Sequence, residues 1–359
     1  MSSDTQPPVN VPLNNFQSLL DSYKLDAYLV SEDANIRYLT GFQASESWLF
    51  VSRKAAFYIT DFRYIEEAKK GLPGNITVKR YQRSVFKTIF DVARMTRSKA
   101  VGLDDRHMSL AFFKELKKAS PKSVRLIPRN NVIEELRQIK TAHEIRQIRQ
   151  ALRLHKEAYR HIRSALKPGV SEKSVLIKLE NFVRAKGAGF SFDPIIASGP
   201  NSALPHARVT DRRFKRNDLI LIDMGIDVQG YKSDLTRMCF LGTIPPLVRK
   251  VNTEVKTAQL KAIANIHAGA RASDIDAQAR NYLAKKGLAK YFGHSLGHGV
   301  GLQIHEAPRL SSVSPTILEE NMVVTVEPAV YLPRRFGIRI EDMVLVTKKG
   351  CEVLSDDID

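Results

Sequence analysis

Four acidic residues stand where the surrounding sequence reads as buried strand. Asp223 closes the apolar run LILID, Asp234 leads into LTRMCF, Glu327 follows VVTV and Glu341 follows GIRI. An ionised carboxylate in such a setting is costly unless a positive charge meets it. Each acid alone could be an edge residue or an ion-paired one, with Arg237, Arg339 and Lys232 as partners. Their spacing suggests more. A turn at Val228-Gln229-Gly230, centred on 228 and 229, sets Asp223 opposite Asp234, and a turn about Arg334 sets Glu327 opposite Glu341. Four converging carboxylates must be protonated or must share cations.

The glycine-rich stretch GHSLGHGVGLQIHE adds His294, His298 and His305 as candidate imidazole ligands. Carboxylates joined by an imidazole form a hard, oxygen-rich donor set that suits Mn2+, with Co2+, Fe2+ or Zn2+ as other candidates. Bridging carboxylates favour two ions, about 3.5 to 4 Å apart, activating one shared hydroxide. That is hydrolytic chemistry.

The same stretch contains Gly293-His294-Ser295-Leu296-Gly297, which matches the G-x-S-x-G nucleophile elbow. The context argues against it. KKGLAKYF, which precedes it, is too charged for a buried strand, and no acid lies between Ser295 and the last histidine, His305. The chain has no P-loop motif, no G-x-G-x-x-G after a strand and no H-E-x-x-H, so nucleotide-driven and helix-borne zinc mechanisms lack support.

The elements that must position these residues can be read coarsely. Segments 26–31, 48–61, 100–105 and 124–128 read as strands, and 62–70 and 109–119 as helices, giving an α/β domain that ends at Pro128–Asn131. A long amphipathic helix follows, stopped by Lys167-Pro168-Gly169, then a second helix from Ser171 to Gly187 and a loop rich in Gly, Pro and Asn over 187–206. Two hairpins, each preceded by helices (about 246–268 and 273–287 before the second), suggest a duplicated unit. The domain expectation is a flexible 1–15, a smaller domain over 16–130 and a catalytic domain over 131–359.

The composition suits two globular domains: 359 residues, 43% hydrophobic and 26% charged. No stretch approaches the roughly 20 apolar residues of a membrane span, and the N-terminus lacks signal-peptide character. Cys239 and Cys351 are too few for a disulfide framework, so a soluble protein of a reducing compartment is expected, cytoplasmic and free of the membrane. The formal charge of +18 is spread along the chain, and no specific nucleic-acid partner is expected.

The motifs SFDPIIASGPNSALPHA, LIDMG, SDLTR, GHSLGHGVGLQIHEAPRL, VVTVEPAVY and GIRIED resemble, in order, the pita-bread metallopeptidases of family M24, within them the proline-specific aminopeptidase P and prolidase group. DAYLVSEDANIRYLTGF resembles the opening of that group's creatinase-type N-terminal domain, and RQIKTAHEIRQIRQA its inter-domain helix. The resemblance implies an α+β pita-bread catalytic domain preceded by a smaller α/β domain. It implies that Asp223 chelates one metal, that Asp234 and Glu341 bridge two, and that His298 and Glu327 complete the second ion's shell. By the same carry-over His206, His294 and His305 line the substrate site, Tyr331 and Arg339 orient the metal carboxylates, and Glu327 shuttles the proton. Arg309 could clamp a substrate carboxylate or sit idle on the surface. Ala329 departs from the more usual VEPG. The implied activity is Xaa-Pro aminopeptidase on proline-containing peptides, with Xaa-Pro dipeptidase as the alternative and a non-catalytic protein- or nucleic-acid-binding module as the different-class rival. The group commonly forms homodimers or homotetramers.

Overall fold

The computed structural model describes residues 11–43 and 45–356, which divide into a unit ending at Arg137 and another beginning at Gln138. The first unit runs α1 (Val11–Leu19), β1 (Ala27–Val30), α2 (Asp33–Thr40), β2 (Trp48–Ser52), β3 (Ala56–Thr60), α3 (Ile65–Gly71), β4 (Ile76–Arg80), α4 (Val85–Met95), β5 (Ala100–Asp104), α5 (Leu110–Ala119), β6 (Arg125–Arg129) and α6 (Val132–Gln138). Its strands form one mixed sheet in the order β4-β3-β2-β1-β5-β6. Side chains alternate between two apolar layers. Tyr28 and Val30 pack with Phe16, Ile36 and Val132 on one face, and Ala27 and Leu29 with Ile89 and Leu116 on the other.

Three sequence expectations change here. The apolar run 48–61 is not one strand: it folds back at Arg53-Lys54, with Val51 opposite Ala56. The segment 1–15 is not wholly a flexible arm. Its first ten residues lie outside the described residues, but the chain is helical from Val11 because Leu13 and Phe16 are buried. The chain divides at Arg137, beyond the Pro128–Asn131 punctuation, because Val132 and Ile133 of α6 pack into the core of the first unit.

The second unit runs α7 (Ala142–Arg163), α8 (Glu172–Ala185), β7 (Gly189–Phe190), β8 (Ile195–Ser198), β9 (Leu219–Met224), β10 (Ile226–Val228), β11 (Tyr231–Lys232), β12 (Leu235–Phe240), α9 (Pro246–Ile263), α10 (Ala272–Lys285), β13 (Gly297–Gly299), β14 (Glu306–Leu310), β15 (Val323–Val326), β16 (Ala329–Leu332), β17 (Phe336–Arg339), β18 (Asp342–Val346) and β19 (Cys351–Val353). A capping box fixes the start of α7: Thr141 Oγ1 accepts from the Glu144 amide and Glu144 Oε2 accepts from the Thr141 amide.

The suspected duplication is plain in the backbone. α8 and α10 cover 172–185 and 272–285, and each is followed by a glycine, Gly187 or Gly287, at φ 71°. That left-handed conformation ends the helix and favours glycine. Each helix pair has its own core: α7 and α8 pack with Ile196, Ile220 and Ile222, and α9 and α10 pack with Val324, Val326 and Val344. The fold class is the expected one, a mixed α/β domain followed by a pita-bread unit.

Candidate metal centre

The four strand acids and His298 all sit at strand ends or interruptions. Asp223 is the penultimate residue of β9, Asp234 precedes β12, His298 is central in β13, Glu327 follows β15, and Glu341 lies between β17 and β18. The first hairpin corrects the expected register. Its turn is Gln229-Gly230, both at positive φ, closing the Val228–Tyr231 pair. Such a two-residue turn matches the strand twist. Asp223 therefore faces Thr236, not Asp234. Continued past the strand end, the register sets Asp234 opposite Gly225, where a Cβ would come within 2.5 Å of Ser233 O.

In the second hairpin, Val326 pairs with Asp342 and Ala329 with Arg339, so the register sets Glu327 opposite Glu341 as expected. Both acids nevertheless fall in a gap between two ladders. Their amides leave the hairpin: Glu327 N donates to Leu296 O at 2.8 Å, and Glu341 N to Thr236 O at 3.2 Å. Ala329 is buried in β16 and does not have positive φ, so glycine's conformational freedom is not needed beside Glu327.

Asp234, His298 and Glu341 each offer one ligand atom, all within 4.8 Å of one another. His298 Nδ1 lies 3.1 Å from Gly299 O, which assigns its proton there. Its Nε2 then faces the acids, 3.5 Å from Asp234 Oδ2 and 3.3 Å from Glu327 Oε1. Arg339 donates to Asp223 Oδ2, while Asp223 Oδ1 is buried with no hydrogen-bond partner among the described residues. Thr236 Oγ1 donates to Glu341 Oε2 at 2.8 Å and accepts from Arg339 Nε at 2.9 Å. The other two cations considered from sequence are engaged elsewhere: Arg237 with Asp342 and Lys232 with Asp227.

Burial and then mutual repulsion raise the pKa of Asp234 and Glu341 well above the carboxylate range. Burial also raises Asp223, against the pull of Arg339. Burial opposes the charge of Glu327 too, but the hydrogen bond and charge of His298 outweigh it and hold Glu327 low. At His298 burial opposes the imidazolium, and the Glu327 contact raises its pKa in spite of that. The unmet Asp223 oxygen, the crowded acids and the inward Nε2 fit a divalent cation, which would remove the repulsion that two positive side chains leave uncompensated.

The sequence matches the model of metallopeptidase family M24 over residues 146–348 and the creatinase/prolidase N-terminal domain over residues 12–139. This chain belongs to family M24. An Xaa-Pro dipeptidase of Pyrococcus horikoshii is 35% identical to it over 97% of both chains. Among solved structures, an Xaa-Pro dipeptidase from Bacillus anthracis superposes with TM-score 0.92 at 35% identity, covering 97% of this chain and 98% of that one. An X-Pro aminopeptidase from Thermotoga maritima superposes with TM-score 0.89 at 33% identity, covering 96% and 97%.

In this M24 chain the remaining sequence candidates surround the acids. Tyr331 Oη accepts from Arg339 Nη1 and lies 3.5 Å from His294 Nε2. His294 Nδ1 is 2.8 Å from Ser295 O, so its Nε2 is an acceptor, and burial lowers its pKa. The His305 ring packs edge-on against His298, with centroids 4.4 Å apart. His206 is exposed and follows Pro205, whose carbonyl accepts from Arg339 Nη1 at 3.1 Å. Arg309 is paired with His298 across β13 and β14, and its Nε donates to Ser295 Oγ at 2.7 Å. Ser295 thus holds an arginine and contacts no activating base among the described residues, and it lies before a strand, not at a strand-to-helix elbow.

Three supports escaped the sequence reading. Thr236 lies two residues after Asp234, and Thr325, which accepts from His298 N and donates to Glu327 Oε1, lies two before Glu327. Both could have been found by the period-two rule, which puts i and i+2 on one face. Asp276 and Arg280 of α10 could not. Asp276 accepts from Leu296 N, and Arg280 donates to Phe292 O and His294 O, so the pair braces the histidine loop. In the first unit, Asp104, His107 and Glu134 also approach within 4.8 Å, but His107 Nδ1 is already 2.9 Å from Asp104 Oδ2, and Glu134 accepts from Asn35 at 2.6 Å.

Proposed function

We propose that this chain is an Xaa-Pro dipeptidase working with two divalent ions, Mn2+ first among them. The observation that carries this reading is the convergence of Asp234, His298 and Glu341 beside the unpartnered Oδ1 of Asp223. Asp223, Asp234, His298, Glu327 and Glu341 would hold the ions. When bound, such ions supply Lewis acidity and a water of lowered pKa. Glu327 would hold the nucleophile's proton at its carboxylate and return it to the leaving imino nitrogen. His206 and His305 flank the developing negative charge on the scissile carbonyl oxygen, and His294 joins them as a donor when a proton is placed on its Nε2. Arg339 and Tyr331 fix the direction of Asp223 and His294.

The choice of dipeptides rests on Arg309 and on the relatives described as dipeptidases. With Nε on Ser295, the exposed Arg309 has two Nη groups without a hydrogen bond or ion pair among the described residues, suited to a substrate carboxylate. The aminopeptidase reading keeps one support, the similarity to the Thermotoga maritima X-Pro aminopeptidase. We place the activity in a cytoplasmic homodimer or homotetramer, on the family resemblance and the two free thiols.

The test is hydrolysis of Xaa-Pro dipeptides and Xaa-Pro-Yaa tripeptides by the wild type and Arg309→Ala. The dipeptidase reading expects at least tenfold higher kcat/KM on dipeptides, with Arg309→Ala losing about 100-fold there through KM. Equal or faster tripeptide cleavage, indifferent to Arg309, would favour the aminopeptidase.

A further inference from the structure

The gap in the second hairpin creates a backbone problem at the two glutamates. Between the Val326–Asp342 and Ala329–Arg339 pairs only one long bond crosses, Ile340 N to Pro328 O at 3.5 Å, and the amides of Glu327 and Glu341 turn to Leu296 and Thr236. Pro328, opposite Ile340, has no N–H to return, so Ile340 O, just before Glu341, needs a donor in a region closed to water, where an unmet carbonyl is costly.

One side chain from another element supplies it and also reaches Val326 O, just before Glu327. Gln259 of α9 is fully buried on a helix face otherwise made by Val248, Val251, Val255, Ala258 and Ala262. Its Nε2 lies 3.1 Å from Val326 O, 3.2 Å from Ile340 O and 2.9 Å from Asp342 Oδ2. Lys256 Nζ donates to its Oε1 at 3.0 Å, which fixes the amide the right way round. A primary amide carries two N–H groups on one nitrogen, so with three acceptors in reach one N–H is shared, and both strands are still reached at once. Methionine fills similar volume and donates nothing.

We infer that Gln259 is a positioning residue for the metal centre: it ties together the two strand ends that carry Glu327 and Glu341 and sets the separation of their carboxylates. The inference rests on the proposed metal reading of those acids. Gln259 touches no ligand atom and acts through the backbone one residue before each glutamate and through the carboxylate of Asp342, the residue after Glu341.

The experiment is calorimetric titration of Mn2+ into metal-stripped full-length protein, for the wild type, Gln259→Met and Val255→Ala. Val255→Ala opens a cavity on the same helix without touching either carbonyl, so it controls for general destabilisation. The expected result is that Gln259→Met binds at least one ion tenfold or more weakly, while Val255→Ala stays within twofold of the wild type even if its Tm falls. If Gln259→Met does not fold, Gln259→Asn, whose amide is one methylene short, takes its place under the same criterion. Binding by the Gln259 variant within twofold of wild type, or equal weakening in Val255→Ala, would overturn the inference and leave the metal reading intact. A wild type that binds no Mn2+ would overturn both.

Discussion

Arg339 holds one oxygen of Asp223 and leaves the other, Oδ1, buried and unpartnered. That half-met carboxylate stands beside Asp234 and Glu341, which burial and repulsion hold toward the protonated form. A cation that satisfies Oδ1 and relieves the repulsion must bind the folded chain far better than the unfolded one. Mn2+ at 100 times its Kd should therefore raise the unfolding free energy by about 2.7 kcal/mol per site, reversed by a chelator. Unfolding midpoints that do not respond to Mn2+ would contradict this.

The site mutations should separate metal from serine chemistry. His298→Ala removes the Nε2 that faces Asp234 and Glu327, and Glu341→Gln removes a charge at the centre of the cluster. Each should lower turnover about 1,000-fold or more. Ser295→Ala should leave kcat close to wild type and raise KM several-fold, since Ser295 Oγ only steadies Arg309. Steady-state kinetics on an Xaa-Pro dipeptide reads all three, and an inactive Ser295→Ala would contradict the assignment.

His155 predicts an acid sensitivity. It is fully buried on α7, 3.1 Å from Ser233 Oγ, and burial, then the charge of Arg237, pushes its pKa down to about 3 from 6.5. Above pH 6.5 it is neutral in the folded and unfolded chain alike. Between about 6.5 and 3 only the unfolded chain takes up the proton, so stability falls with falling pH through that window. At pH 5 the loss is about 2 kcal/mol. Urea unfolding at pH 7.5 and pH 5 should show that extra loss in the wild type and not in His155→Gln. Equal losses would contradict it.

The two acid pairs were legible because a carboxylate in an apolar strand is conspicuous, and the histidine loop because glycines frame its imidazoles. The register of the first hairpin was not, since it depends on Gln229 and Gly230 both taking positive φ. Asp276, Glu172 and Gln259 were invisible for another reason. In sequence, a polar residue on an amphipathic helix looks the same whether it faces water or, like Glu172, accepts from Ser198, Asn201 and Thr210 in the interior. In the first unit, α2 and β4 are short mixed segments that carry no clear period, whereas α4 has Val85, Ile89, Val92 and Ala93 at helical spacing and could have been found.

The basic charge should matter little to function. Arg146, Arg153 and Arg160 are exposed along α7, spaced by seven residues as single charges on one helix face. Binding to duplex DNA or structured RNA should be weak, indifferent to sequence and lost near 150 mM salt, with each neutralised phosphate contributing about −0.9 to the log–log salt slope. A nanomolar complex that survives such salt would contradict this.

The most direct test of the central claim is to strip the chain of metal and follow hydrolysis of an Xaa-Pro dipeptide as Mn2+ is added back. No turnover is expected in the stripped protein, followed by a rise that saturates at about two ions per chain. Full turnover in a verified metal-free preparation would contradict it.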